Sequence, residues 1–153
     1  MIVIALIAGF AAQLILFNFF PNDGAGVNIN ILLILTVEIA LIRGSYRGEI
    51  FGFFSGLLED IFVFGLIGER AIIRALAGFL IGKFSRRFSV ENVVFQFFLV
   101  FFVFIIHSGF IYVVRLIFSY PPPALNKVLL NSAINGFLAP GIYHIIRKTI
   151  ARQ

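Results

Sequence analysis

The stretch GEIFGFFSGLLEDIF, Gly48 to Phe62, places glycine at every fourth position and then two adjacent acids within an otherwise apolar run. On a helix of 3.6 residues per turn, positions four apart drift by only about 40° per step, so they share one stripe. Gly44 precedes the series, which reads Gly44, Gly48, Gly52, Gly56, and Asp60 falls on the next rung. Lipid gives apolar surfaces no hydrophobic reason to associate, and helices in lipid pair where small residues let backbones approach closely. The stripe therefore reads as a packing surface that ends in charge.

The composition requires that lipid setting. Of 153 residues, 61% are hydrophobic and 12% charged, with a mean hydropathy of +1.07, against about 25% charged residues in soluble domains. A spanning helix needs roughly 20 mostly apolar residues. Nearly the whole chain divides into such runs, near 2–20, 27–42, 48–66, 68–84, 92–118 and 124–146. The fold class expected is an all-α integral membrane protein, a six-helix transmembrane bundle forming a single domain over 1–153. The apolar N-terminal run lacks a basic n-region and leads into PNDGAG without a clear cleavage site, so it reads as a retained first helix. Cysteine is absent, which excludes disulfides, zinc-thiolate sites and thiol catalysis. The formal charge of +5 comes from short basic clusters at helix ends, with no basic domain to hold nucleic acid.

Those clusters set an expected orientation. One side collects Arg43, Arg47, Lys83, Arg86, Arg87, Arg147, Lys148 and Arg152, and the other only Arg70, Arg74, Arg115 and Lys127. Eight against four places both termini in the cytoplasm. The second and fourth runs are short for a full crossing and suggest local thinning of the bilayer. Phenylalanine dominates, with 21 residues and no tryptophan, leaving Tyr46, Tyr112, Tyr120 and Tyr143 as interfacial anchors.

Asp60 lies about 18 Å along the axis from Gly48, where a lone charge costs at least about 2.5 kcal/mol. Asp60 or its neighbour Glu59 is expected to pair with Arg70 or Arg74 at the start of the next helix, pinning a hairpin between the third and fourth helices. A proton relay or ion site is the alternative use of such acids. Glu38 is expected to pair with Arg43 or Arg47. Gly78 and Gly82 on the fourth helix offer a groove for Gly48, Gly52 and Gly56; the pairs Ala5/Gly9 and Ala8/Ala12 on the first helix and Gly109 on the fifth offer others. Asn131 and Asn135 on the last helix can hydrogen-bond between helices, and Pro140-Gly141 predicts a kink. Pro121 to Pro123 stiffen an outer turn. His107 and His144 stand alone, so each reads as a hydrogen-bonded histidine and not a metal ligand. No nucleophile elbow, zinc-binding His-Glu-x-x-His or phosphate-cradling loop is present, so no enzyme activity and no cofactor are expected.

Two blocks resemble the MreD family of bacterial rod-shape-determining membrane proteins. In the first, Arg43 to Phe84, a basic turn precedes Gly52-Phe-Phe-Ser-Gly56-Leu-Leu-Glu59-Asp60 and then Leu66-Ile-Gly68-Glu-Arg70-Ala71; the second reads Ile134-Asn135-Gly136-Phe137-Leu138-Ala139-Pro140 before Arg147-Lys148. Many members carry a proline in the inner turn where this chain has RGSYRG. The resemblance implies a non-enzymatic scaffold of the inner membrane that binds MreC and works with MreB filaments, the RodA glycosyltransferase and a class B transpeptidase in lateral wall synthesis. It also implies a fold similar to the S-components of energy-coupling-factor vitamin transporters, hence a second reading as a small-molecule-binding transport subunit. For that reading the outer ends offer Asn28, Asn30, Asp60, Arg70, Arg74 and Arg115 around a cavity, without a recognisable ligand signature.

Overall fold

The structure is a computed structural model that describes residues 2–19, 28–62, 66–85, 91–122 and 125–150. Among these residues it is all-helical, with six α-helices: α1 (Ile2–Phe19), α2 (Ile31–Arg43), α3 (Ser45–Phe62), α4 (Glu69–Phe84), α5 (Val93–Ile117) and α6 (Val128–Ile150), and a 3-10 turn at Leu125–Lys127. The PNDGAG turn, Arg86, Arg87, Pro123 and Arg152 lie outside the described residues, as do 63–65 at the end of the expected third helix.

Local chemistry explains where the boundaries moved. α2 starts at Ile31 and not near 27 because the Asn30 side chain accepts the Leu33 N–H at 2.9 Å, satisfying one of the orphan donors of a helix start. It stops at Arg43 because Gly44 takes φ +87°, a backbone region open to glycine. Gly44 is thus the turn joining α2 to α3 and not the first rung of the glycine stripe, as the spacing suggested. α3 begins at once, at Ser45. α6 starts four residues later than expected, runs through Pro140 and continues to Ile150.

The remaining glycines form the seam of an antiparallel α3–α4 hairpin. A methyl group built on Gly48 would lie 2.8 Å from the Gly78 carbonyl oxygen; on Gly52 it would strike the Arg74 carbonyl; on Gly56 it would lie 2.5 Å from the Ala71 Cα. Gly78 and Gly82 return the relation against Gly48 and Ser45. As the position on α3 rises by about four, its partner on α4 falls by about four, so one register runs along the seam. The same stripe meets α2, where the Gly48 methyl would be 2.5 Å from the Ala40 Cβ and the Gly52 methyl 3.0 Å from the Thr36 Cγ2. Thr36 and Ser55 hydroxyls meet at 3.3 Å across this contact.

α2 is the central post, buried continuously from Leu32 to Leu41. Leu33, Ile34, Val37 and Leu41 pack with Val100 and Phe104 of α5 and Ala139 of α6, while Leu35 and Ile39 pack with Phe51 of α3. Gly9 of α1 seats against Leu35 and Leu32, and Gly136 of α6 against Phe97 of α5. Gly109 and Gly141 have open space where a side chain would stand, so Gly109 offers no groove.

The surface inverts the pattern of a soluble protein. Large apolar residues such as Ile4, Ile7, Phe54, Ile72, Phe102, Ile106 and Phe137 are exposed, while Glu38, Arg74, Asn135 and Ser132 are fully buried. Apolar surface on this scale marks contact with lipid or partners. By length and apolarity α5, with 25 residues, qualifies to cross a membrane, and the described apolar part of α1, Val3–Asn18, is shorter.

Candidate functional site

At the end of the bundle where α1, α3 and α5 finish and α2, α4 and α6 begin, side chains from α1, α3, α4, α5 and α6, with Asn30 at the cap of α2, form one polar network. Asp60 occupies its centre. Its carboxylate accepts the backbone N–H groups of Gly68 (2.9 Å), Arg70 (3.1 Å) and Ala71 (3.2 Å), and the Arg70 guanidinium at 3.0 Å. A helix start leaves N–H groups unsatisfied and carries partial positive charge. The acid at the end of α3 thus caps α4 from outside, a role that Gly68, with no side chain, cannot fill. The pairing with Arg70 was legible from sequence; the capping was not, because it depends on how the hairpin turns.

Glu59 extends the network. It accepts the Arg74 guanidinium at 2.5 Å and the Arg70 Nε at 3.2 Å, and also the Asn30 side-chain amide at 3.1 and 3.2 Å. Arg70 further meets Glu69 at 3.1 Å, and Glu69 accepts Arg115 of α5 at 2.5 Å. Three carboxylates and three guanidiniums therefore alternate in sign, and none of the six side chains is more than 13% exposed. An unpaired ion here would be strongly penalised, whereas Glu59, Asp60 and Glu69 each meet at least one guanidinium. Glu69 to Arg115 joins residues 46 apart, a pairing that no spacing rule signals.

An amide layer lies beside the ions. Asn135 Oδ1 accepts the Asn30 N–H at 2.9 Å while its amide donates to the Asn28 and Asn131 carbonyls at 2.8 and 2.7 Å. Asn131 Oδ1 accepts the Asn28 N–H at 3.0 Å. Gln13 of α1, which the sequence reading passed over, donates to the Ile29 carbonyl at 3.0 Å and accepts the Ile31 N–H at 2.8 Å. A lone Gln in an apolar run was the available signal. The irregular backbone of residues 28–30 is thereby satisfied by side chains of α1 and α6, as buried non-helical backbone requires.

Two expectations fail, and a third holds in part. The Glu38 carboxylate has no hydrogen-bond partner: Arg43, five residues on, lies about 140° around the helix, and Arg47 is exposed beyond the Gly44 turn. His107 is buried with Nε2 unpartnered, and His144 is exposed, so neither is the buried, satisfied histidine expected. Of the residues expected around an outer cavity, Asn28, Asn30, Arg70 and Arg115 line one of about 220 Å³, while Asp60 and Arg74 stand behind its wall. The glycines Gly48, Gly52, Gly56, Gly78 and Gly82 lie away from it in the hairpin seam, and Gly136 and Pro140 in α6 do not line it either. Pro121 and Pro122 are exposed, and the Pro121 carbonyl accepts Arg115 at 3.4 Å.

A helical bundle with ions paired inside and phenylalanines outside defines an α-helical membrane protein. The model of the family described as rod shape-determining protein MreD matches residues 1–149, nearly the whole chain, and the chain belongs to that family. Its role is accordingly in rod-shape determination. No curated protein and no solved structure gave a match.

Proposed function

We propose that this chain is a non-enzymatic, multi-pass scaffold of the bacterial inner membrane that binds MreC and supports lateral peptidoglycan synthesis. MreB, RodA and a class B transpeptidase are its wider partners. The observation that carries the reading is how the polar side chains are used: the six ions engage one another and the amides engage the backbone, which builds a fixed shape and leaves no reaction centre. Such a body acts through its surface. Both termini are assigned to the cytoplasm, since of the four cations expected outside, Arg70, Arg74 and Arg115 are held by buried carboxylates and only Lys127 of that group stands apart from them.

The glycine stripe faces α2 and α4, so its influence on MreC runs through the shape of the hairpin, and the contact itself is assigned to the apolar faces of α1, α3 and α6. Co-purification from membranes tests this. Photo-cross-linkers at Ile7, Phe54 and Phe137 are expected to capture MreC, while one at Phe79 of α4 is not. Absence of MreC from all three of the first set, with the chain inserted and folded, refutes the assignment.

The cavity favours a second reading, an S-component-like subunit that binds a vitamin. At about 220 Å³ it falls below the roughly 300–1,000 Å³ of drug-sized pockets, which is why the scaffold is preferred. Equilibrium dialysis of the purified chain against labelled water-soluble vitamins separates the two.

A further inference from the structure

The cavity has a geometry that neither reading uses. It lies between α1 and α5, two helices whose backbones approach closely nowhere along their described lengths. Its lining includes apolar side chains of both helices: Leu14 and Phe17 of α1, 39% and 42% exposed, and the buried Ile111 of α5. Its inner wall is polar, with Glu59, Arg70, Arg115 and Ser108 beside His107, whose Nε2 is buried without a partner.

Size and charge narrow the occupant. At about 30 Å³ per water the space holds roughly seven waters, or a polar group of similar heavy-atom count; a whole lipid does not fit. The wall carries both signs, Glu59 beside Arg70 and Arg115, and each of these ions is already paired inside the network. A net anion gains little there, whereas a group with both an anionic and a cationic end finds a partner for each. We propose that the cavity holds the zwitterionic, phosphate-ammonium headgroup of a membrane phospholipid, with the acyl chains leaving through the apolar gap between α1 and α5. The proposal does not depend on MreC binding.

Native mass spectrometry of the full chain, released from nanodiscs of equal phosphatidylethanolamine and phosphatidylglycerol, tests it. The expected result is one retained phosphatidylethanolamine, favoured about tenfold over phosphatidylglycerol, a difference of about 1.4 kcal/mol. Ser108→Phe, which fills the recess, should remove the adduct. Leu14→Trp, at an exposed lining position that tolerates bulk, should do the same where Ser108→Phe fails to fold, and Leu80→Trp on the outside of α4 should leave it. A preference for phosphatidylglycerol, an adduct that survives both recess variants, or no retained lipid overturns the proposal. So does saturable binding of soluble phosphoethanolamine that excludes the lipid, which would assign the site to a free solute.

Discussion

Asp60 illustrates how one side chain can decide a hairpin. It closes three backbone donors of α4 and one guanidinium at once, so Asp60→Ala removes a cap and leaves a buried Arg70 short of an anion. Arg70 keeps Glu59 and Glu69, so the loss is that of a helix cap, about 0.5–2 kcal/mol, and of buried donors left unsatisfied, about 1–3 kcal/mol, together a fall of roughly 10 °C in melting temperature. Asp60→Asn keeps one acceptor and should lose less. The chain has no tryptophan and no cysteine, so ellipticity at 222 nm in detergent is the suitable readout. A melt unchanged by Asp60→Ala would deny the cap its role. At this scale sequence reading reached as far as charge and depth allow: an acid in an apolar run needs a partner, and the nearest cations follow ten and fourteen residues later. What it could not reach was backbone geometry, which turned Asp60 into a cap, or distant topology, which brought Arg115 to Glu69. Glu38 shows the converse, because proximity in sequence to Arg43 does not place two side chains on one face.

At the scale of the element, the α3–α4 seam and the α4–α5 tie are separable. In the seam a methyl at Gly52 meets backbone that cannot swing aside, so Gly52→Ala should cost about 1–3 kcal/mol. Gly109→Ala, with nothing nearby, should be neutral or gain up to about 1 kcal/mol from helix propensity. Melting temperatures should order as Gly109→Ala, wild type, Gly52→Ala, and a reversed order would remove the close contact from the account. The tie is tested by a double-mutant cycle on Glu69→Gln and Arg115→Gln, where the coupling expected is about 0.5–3 kcal/mol; additivity would mean that the pair contributes nothing beyond its parts. Four-residue spacing makes this seam legible in the sequence, since antiparallel small-residue faces leave a periodic record on both helices. The same spacing misassigned Gly44, because a turn glycine and a packing glycine look alike until φ is known. The 28–30 segment was hidden for a related reason: its satisfaction depends on Gln13, Asn131 and Asn135 arriving from helices at opposite ends of the chain.

For the whole molecule, the distribution of polarity sets the testable limits. Buried ions and an apolar exterior are stable together only where the exterior meets lipid or protein, and the cation asymmetry turns that into an orientation. Reporter fusions at Met1 and Gln153 should both be active in the cytoplasm, and a periplasmic signal from either would invert every surface assigned to MreC. The central claim is that the fixed shape of this bundle is what rod-shape determination requires. It is tested most directly by rescue of cell shape in a rod-forming bacterium deleted for its own MreD, with membrane levels of each variant matched by immunoblot. The account predicts rods with the wild-type chain and with Phe54→Leu, and spheres with Gly52→Leu, whose larger side chain drives α3 from α4. Rods sustained by Gly52→Leu at matched levels would contradict it.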